Sequence, residues 1–120
     1  MTVYVDELRA HAVREDATAQ TKRHFGGGKL SCHLTAGGLD CAAVSELHAL
    51  ARRIGLRRAW FQNGSWPHYD LTAKRRVAAV AAGAVEETNR AGALRRTKVR
   101  AAYAEIQRAA ATLLGEDRDG

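Results

Sequence analysis

The chain has 120 residues, of which 46% are hydrophobic and 27% are charged. This length suits a single domain with one core, and the apolar runs fall well short of the roughly 18 residues that a membrane span needs, so a membrane-spanning protein is not expected. Nineteen Lys and Arg against thirteen Asp and Glu give a net charge of +6, which is typical of a basic protein and favours polyanionic partners such as nucleic acid.

The first part of the chain predicts two strands joined by a loop. Val3 and Val5 open the first strand, and this start lacks the basic residues and long apolar run of a secretory signal, so we expect a cytoplasmic protein. The segment 14–29 is polar and ends in three glycines, which predicts a mobile loop insertion. A second strand is predicted across 30–35, where Leu30, Cys32 and Leu34 alternate with Ser31, His33 and Thr35.

The middle of the chain predicts two helices and a strand. Asp40 is a suitable N-cap for a helix that runs to about Ile54. A third strand is predicted across 59–62, followed by turn-rich residues 63–67. Thr72 is then expected to cap a helix that Gly83 ends.

The last third predicts a short strand across 84–88 and a long basic amphipathic helix across 89–115, with a frayed tail at 116–120. Alternating strands and helices indicate a single α/β domain over 1–115. We expect two or three layers, with a short, mostly parallel sheet, crossover helices and the long C-terminal helix.

Five segments of the chain resemble one protein family: MTVYVDELR at 1–9, CHLTA at 32–36, SELHALARRIGLRRAWFQ at 45–62, HYDLTAKRR at 68–76 and GAVEET at 83–88. They are similar to an uncharacterised domain of unknown function, DUF4031-like, that is common in phage genomes and some bacteria. The resemblance covers about residues 1–90 and implies a phage-type accessory protein, acting in the host cytoplasm if phage-encoded, with no established activity. The loop and the longer C-terminal helix depart from the family's compact form.

The candidate catalytic residues are His68, Asp70, Asp6 and His33. His68 and Asp70 follow the predicted third strand, where α/β sheets usually present ligand contacts, and a His with an Asp suits acid–base chemistry. Asp6 ends the first strand, and His33 lies on the polar face of the second. The alternative is a structural turn, in which Asp70 or Thr72 caps a helix and His68 packs against a tryptophan.

Candidate ligand-binding residues surround this cluster: Gln62, Tyr69, Lys74, Arg75 and Trp60. Cations in the first turn of a helix oppose its dipole, so Lys74 and Arg75 favour a nearby anion such as a phosphate, which the free N–H groups would also bind. Trp60 is suited to stack a base. The alternatives are a solvated charge run and an aromatic residue of the core.

A metal site is a further hypothesis, and the cofactor is otherwise unknown. Asp6 and Asp70, joined by Glu7 or Asp40, would suit a divalent cation such as Mg²⁺, although Asp40 already has a capping role. The cysteines Cys32 and Cys41 are expected to be reduced thiols and lack the paired spacings of a zinc motif.

Five cations without an intervening acid begin the long helix: Arg90, Arg95, Arg96, Lys98 and Arg100. They are candidates for binding a nucleic-acid backbone, and the alternative is a solvated helix face.

Together these patterns predict a protein that binds a phosphate-containing ligand, a nucleotide or nucleic acid, with hydrolysis as the candidate activity. The alternative is a non-catalytic protein that binds a host protein or nucleic acid through the basic helix, whose apolar stripe also allows a homodimer. The enzyme hypothesis requires Asp6, Gln62, His68 and Asp70 to converge at one pocket.

Overall fold

The computed structural model describes residues 2–10 and 15–115. Its elements are β1 Val3–Val5, β2 Arg9–Ala10, α1 Ala19–Phe25, β3 Leu30–Ala36, α2 Cys41–Arg53, a 3₁₀ turn at Arg58–Trp60, β4 His68–Thr72, α3 Ala73–Ala81, β5 Val85–Glu86 and α4 Asn89–Leu114. The predicted α/β class and the long C-terminal helix are therefore confirmed. No helix in the described ranges is long and apolar enough to cross a membrane.

The centre of the sheet is β3, which pairs with β4 along one edge and with β1 and β2 along the other, while β1 pairs with β5. Among the strands of the described residues, β1 and β5 are parallel and the other pairs are antiparallel, so the prediction of a mostly parallel sheet was wrong. The reason lies in residues 54–67, which carry the chain from α2 back to the end of β3. There His68 pairs with Thr35, and β4 runs antiparallel to β3.

The core lies on one face of the sheet. Alternate strand residues, including Val5, Leu34 and Leu71, are fully buried there because successive side chains of a strand point to opposite faces. Helix α2 packs Leu47 into this core and α3 packs Ala79 into it. The predicted caps hold both helices in place: Asp40 accepts a hydrogen bond from Ala43 N and Thr72 accepts one from Arg75 N.

Two local predictions were wrong. Residues 59–62 are not a strand, because the aromatic side chains of Trp60 and Phe61 pack against the core from the 3₁₀ turn and only Gln62 pairs, as a bridge to His68. The predicted loop at 14–29 contains α1, although Arg14 lies outside the described residues. Helix α1 has no buried residue, so no apolar stripe marks it in the sequence. The tail at 116–120 also lies outside the described residues.

The long helix α4 is held to the sheet near its start by polar contacts. The Arg95 guanidinium donates to both carboxylate oxygens of Glu87, at 2.8 and 3.1 Å, and to Thr35 Oγ1 at 3.1 Å. It also lies 3.8 Å from the centre of the Tyr4 ring. The apolar stripe continues past these contacts into solvent, where Ile106 is 65% and Leu113 88% exposed.

We expect Arg95→Ala to destabilise the fold by about 3 kcal/mol, because it leaves the Glu87 carboxylate buried without its charge partner. The Glu87 side chain is only 9% exposed. Urea unfolding measures the change in the free energy of unfolding. The control is Arg90→Ala, which removes an exposed arginine and should keep this free energy within about 0.5 kcal/mol of wild type. The double variant Arg95→Met/Glu87→Gln, in which neither charge remains, should be less destabilised than Arg95→Ala. Equal effects of Arg95→Ala and Arg90→Ala would contradict this account.

Candidate functional site

The second face of the sheet is polar, and the register of β3 and β4 assembles a cluster of charged side chains on it. His33 lies directly opposite Asp70, and Thr35 lies opposite His68. Directly paired residues share a face, so these side chains are neighbours. Asp6, the residue directly after β1, also belongs to this cluster. The backbone N–H of Asp6 donates to His33 O at 3.3 Å. The structure thus brings together all four residues that were predicted to be catalytic.

Asp6 and His33 form the best-defined pair of the cluster. The Asp6 carboxylate accepts from His33 Nδ1 at 2.8 Å and from His33 N at 2.6 Å. Burial raises the pKa of Asp6, but the two hydrogen bonds from His33, together with the charges of His33 and Arg96, outweigh it, and the pKa lies below its ordinary value. The hydrogen bond to Asp6 raises the pKa of His33 despite partial burial and the charge of Arg96. Both shifts favour the ion pair.

His68 lies on β4 and faces the carboxylate of Asp70 on the same strand. His33 faces this carboxylate from the neighbouring strand β3. Its Nδ1 lies 2.7 Å from Trp66 O, and a carbonyl oxygen only accepts, so this nitrogen carries the proton. In the neutral ring Nε2 is therefore a proton acceptor. His68 Nε2 and His33 Nε2 each lie 3.7 Å from Asp70 Oδ1, and the two ring centres are 5.4 Å apart.

Asp70 and Gln62 connect the cluster to a cleft of about 520 Å³. Gln62 Nε2 donates to Asp70 Oδ2 at 2.6 Å, which fixes the carboxylate. Trp60 and Arg75 line the same cleft, and α1 lines its other side. Arg75 Nη1 donates to Ile54 O at 2.7 Å while its guanidinium lies 5.8 Å from the Trp60 ring. The cleft therefore combines a fixed cation, an aromatic face and an ionisable rim.

Two predicted ligand contacts lie elsewhere. Tyr69 is 1% exposed in the core, where its hydroxyl lies 2.8 Å from His48 Nδ1. The prediction placed 68–70 in a loop between a strand and a helix, whereas in strand β4 the side chain between His68 and Asp70 points to the opposite face. Lys74 is exposed on α3 and does not line the cleft.

The basic stretch of α4 is divided between structural and exposed positions. Arg95 binds Glu87, and Arg100 donates to Ser65 O at 2.9 Å. Arg96 is half-buried and acts electrostatically on Asp6 and His33. Arg90 and Lys98 are exposed. Two of the five candidates for binding a nucleic-acid backbone, Arg95 and Arg100, therefore hold the helix to the body of the protein.

The sequence did not point to the cleft wall formed by α1, which includes Thr18 and His24. The available signal was Thr18 itself, whose hydroxyl caps the helix by accepting from Thr21 N at 3.1 Å. Arg76 was likewise not assigned a role at the site, although its Nε donates to Asp6 O at 2.8 Å. Such a contact between residues 70 positions apart leaves no local pattern in the sequence.

The carboxylates proposed for Mg²⁺ do not converge. Asp40 caps α2, Glu7 accepts from Asn89 N at 2.7 Å, and Asp6 binds His33. Within the described parts of the chain, no group of three or more His, Cys, Asp or Glu residues is placed to hold a metal ion. Cys32 lies on the core face, where burial raises its pKa to about 12.

A family model described as a protein of unknown function (DUF4031) matches residues 3–100. The chain belongs to this family. The match confirms the resemblance seen in the sequence, includes the whole cluster and cleft, and ends within α4. Comparisons of the DUF4031 chain with curated proteins and with solved structures give no match.

In this DUF4031 protein, Asp6→Asn should reduce the free energy of unfolding by about 1–2 kcal/mol, a range that allows for the partial exposure of His33. Asp6 has a pKa below its ordinary 3.8, so its contribution is lost on acidification through that lowered pKa. His33 has a pKa above its ordinary 6.5, so its contribution is present below pH 6.5 and lost as pH rises through the raised pKa. The difference should therefore be greatest between about pH 4 and 6.5.

Urea unfolding at pH 5, 7 and 9 measures this difference, and NMR titration of the His33 ring should give a lower midpoint in the variant. The exposed Glu105→Gln variant is the matched control and should stay within about 0.5 kcal/mol of wild type throughout. A difference that does not depend on pH would show that the ion pair does not supply this stability.

Proposed function

We propose that this protein binds a phosphate-containing ligand, a nucleotide or nucleic acid, in the cleft and breaks a phosphoester bond by acid–base chemistry. One observation carries the proposal. His33 and His68 are each anchored through Nδ1, to Asp6 and to Trp66 O, and each directs Nε2 towards Asp70 at the rim of the cleft. Two histidines that are each held through one ring nitrogen, with the other ring nitrogen beside a carboxylate at a cleft, suit proton transfer to and from a bound ligand.

The two rings have different hydrogen-bond partners at Nδ1, and this favours separate roles. The hydrogen bond to Asp6 raises the pKa of His33 and so favours its cationic form, which can give a proton to a leaving oxygen. His68 holds a proton on Nδ1 against Trp66 O, so in the neutral form of this ring Nε2 can take a proton from an attacking hydroxyl. Opposite environments for two titratable groups are the usual basis of acid and base assignments in an active site.

Arg75 and Trp60 would supply the binding. The guanidinium of Arg75 is fixed by Ile54 O and lines the cleft, so it can bind a phosphate oxygen without losing much side-chain freedom. The half-buried Trp60 offers an indole surface to a base or nucleoside. Arg96 adds positive charge close to the Asp6–His33 pair.

The cleft is a better candidate than the basic helix for the main ligand site. Arg95 and Arg100 already contact the body of the protein, which leaves fewer cations on α4 for a nucleic-acid backbone. The cleft, in contrast, has cationic, aromatic and ionisable groups along its walls. Small-molecule sites usually have this composition.

Arg75→Ala should weaken binding of a fluorescent oligonucleotide by about tenfold or more, because a charge-assisted hydrogen bond is worth about 1.5–3 kcal/mol. Fluorescence anisotropy at fixed ionic strength measures the dissociation constant of each ligand. The ligands are RNA strands, DNA strands and mononucleotides, each tested separately. Arg52→Ala, which removes an exposed arginine from the last turn of α2, is the matched control and should bind like wild type. The proposal fails if none of these ligands binds, or if the two variants lose affinity equally.

A further inference from the structure

Among residues 2–10 and 15–115, the side chains around the cluster supply acid and base groups but no suitable attacking atom. Cys32 lies on the opposite face of β3 in the core. The Thr72 hydroxyl accepts from Arg75 N as the cap of α3, and the Thr35 hydroxyl accepts from Arg95 Nη2 and donates to Tyr4 O. Ser31 is 4% exposed and lies opposite Thr72, one pair beyond His33 and Asp70. The attacking oxygen must therefore come from water or from the substrate.

We infer that the attacking atom is the 2′-hydroxyl of a ribose and that the substrate is single-stranded RNA. This inference rests on the proposed function of the cleft and names its substrate. A 2′-hydroxyl lies next to the phosphorus that it attacks, so the protein needs only a base and an acid within reach of one phosphate. His68 and His33 suit that requirement, since their ring centres are 5.4 Å apart and each Nε2 lies 3.7 Å from Asp70, which lines the cleft. Such intramolecular attack also avoids much of the entropy cost of capturing a separate nucleophile.

The reaction balances without a co-reactant. His68 Nε2 takes the proton of the 2′-hydroxyl while the 2′-oxygen forms a bond to phosphorus. The bond between phosphorus and the 5′-oxygen breaks, and that oxygen takes a proton from His33 Nε2. The products are a 2′,3′-cyclic phosphate and a 5′-hydroxyl end, and proton exchange with water restores both rings.

The cleft favours a single strand over a duplex. Its volume of about 520 Å³ is in the range of small-ligand sites and suits one unstacked nucleotide. Trp60 can stack a splayed base, and Arg75 beside it can bind the adjoining phosphate. Proteins usually recognise single-stranded RNA in this way, and the 2′-hydroxyl is the group that distinguishes it from DNA.

The charges around His33 support its role as the acid. Asp6 and Asp70 face the ring and favour the cation, whereas Arg96 on α4 opposes it, and His68 packs edge to face against it. Asp6 acts through His33 and is a positioning residue. In Asp6→Asn the amide offers an N–H to Nδ1 where the carboxylate accepted one, so both the orientation and the proton of His33 are disturbed.

The test compares four labelled strands of one sequence in the presence of EDTA: all RNA, all DNA, DNA with a single ribonucleotide, and the same strand with a 2′-O-methyl group at that position. We expect cleavage of the RNA, cleavage of the third strand only after its ribonucleotide, and 2′,3′-cyclic phosphate ends. DNA should bind and stay intact. His33→Gln and His68→Gln should each slow cleavage by roughly 100-fold or more, whereas Arg52→Ala should cleave at the wild-type rate.

The pH dependence of the cleavage rate in Asp6→Asn tests whether Asp6 acts through His33, because a purely structural role would leave this dependence unchanged. The rate should fall with rising pH as the acid loses its proton, and this fall should shift to lower pH in the variant. Folding of each variant is verified by its thermal unfolding transition.

The inference is overturned if DNA is cut as readily as RNA, if the products carry 5′-phosphate ends, or if EDTA abolishes cleavage. In those cases the proposed cleft function would stand. Binding without cleavage of any strand would overturn the inference and the acid–base part of the proposed function, and absence of binding would overturn both proposals.

Discussion

The antiparallel pairing of β3 with β4 is the constraint on which the rest of the structure depends. It sets His33 opposite Asp70 and Thr35 opposite His68, and it sends Cys32, Leu34, Tyr69 and Leu71 to the core. Because side chains alternate along a strand, a shift of one residue would exchange the two faces. The register that buries the apolar residues is therefore the same register that assembles the charged cluster.

Burying one polar face of a sheet requires that its charges be paired. Asp6 is 8% exposed, and its carboxylate is satisfied by two hydrogen bonds from a single residue, His33. On the same face, Arg95 neutralises Glu87 and binds Thr35, which closes the sheet beneath the start of α4. These contacts satisfy polar groups whose burial would otherwise cost several kcal/mol. They also leave His33, His68 and Asp70 as the partly exposed members of the face.

The cleft wall opposite Trp60 has a different physical character. Helix α1 spans Ala19–Phe25 and buries none of its residues, so its stability depends on its caps rather than on a core contact. Helices this short are marginal in water when they lack tertiary packing. A ligand that contacts both α1 and the Trp60 side would therefore add the packing that this wall lacks.

Local sequence patterns were enough to predict the α/β class, the strand at 30–35 with its two faces, the caps Asp40 and Thr72 and the length of α4. Each of these follows from a local period or a capping residue. The tertiary structure alone decided the strand directions, the position of α1, the burial of Tyr69 and the use of Arg95 as an internal ion-pair partner. Both the local sequence and the tertiary structure contribute to the cluster of Asp6, His33, His68 and Asp70. Their residue types and strand positions mark them as candidates in the sequence, but only the pairing of distant strands brings them together, because contacts between residues far apart in the chain leave no local pattern.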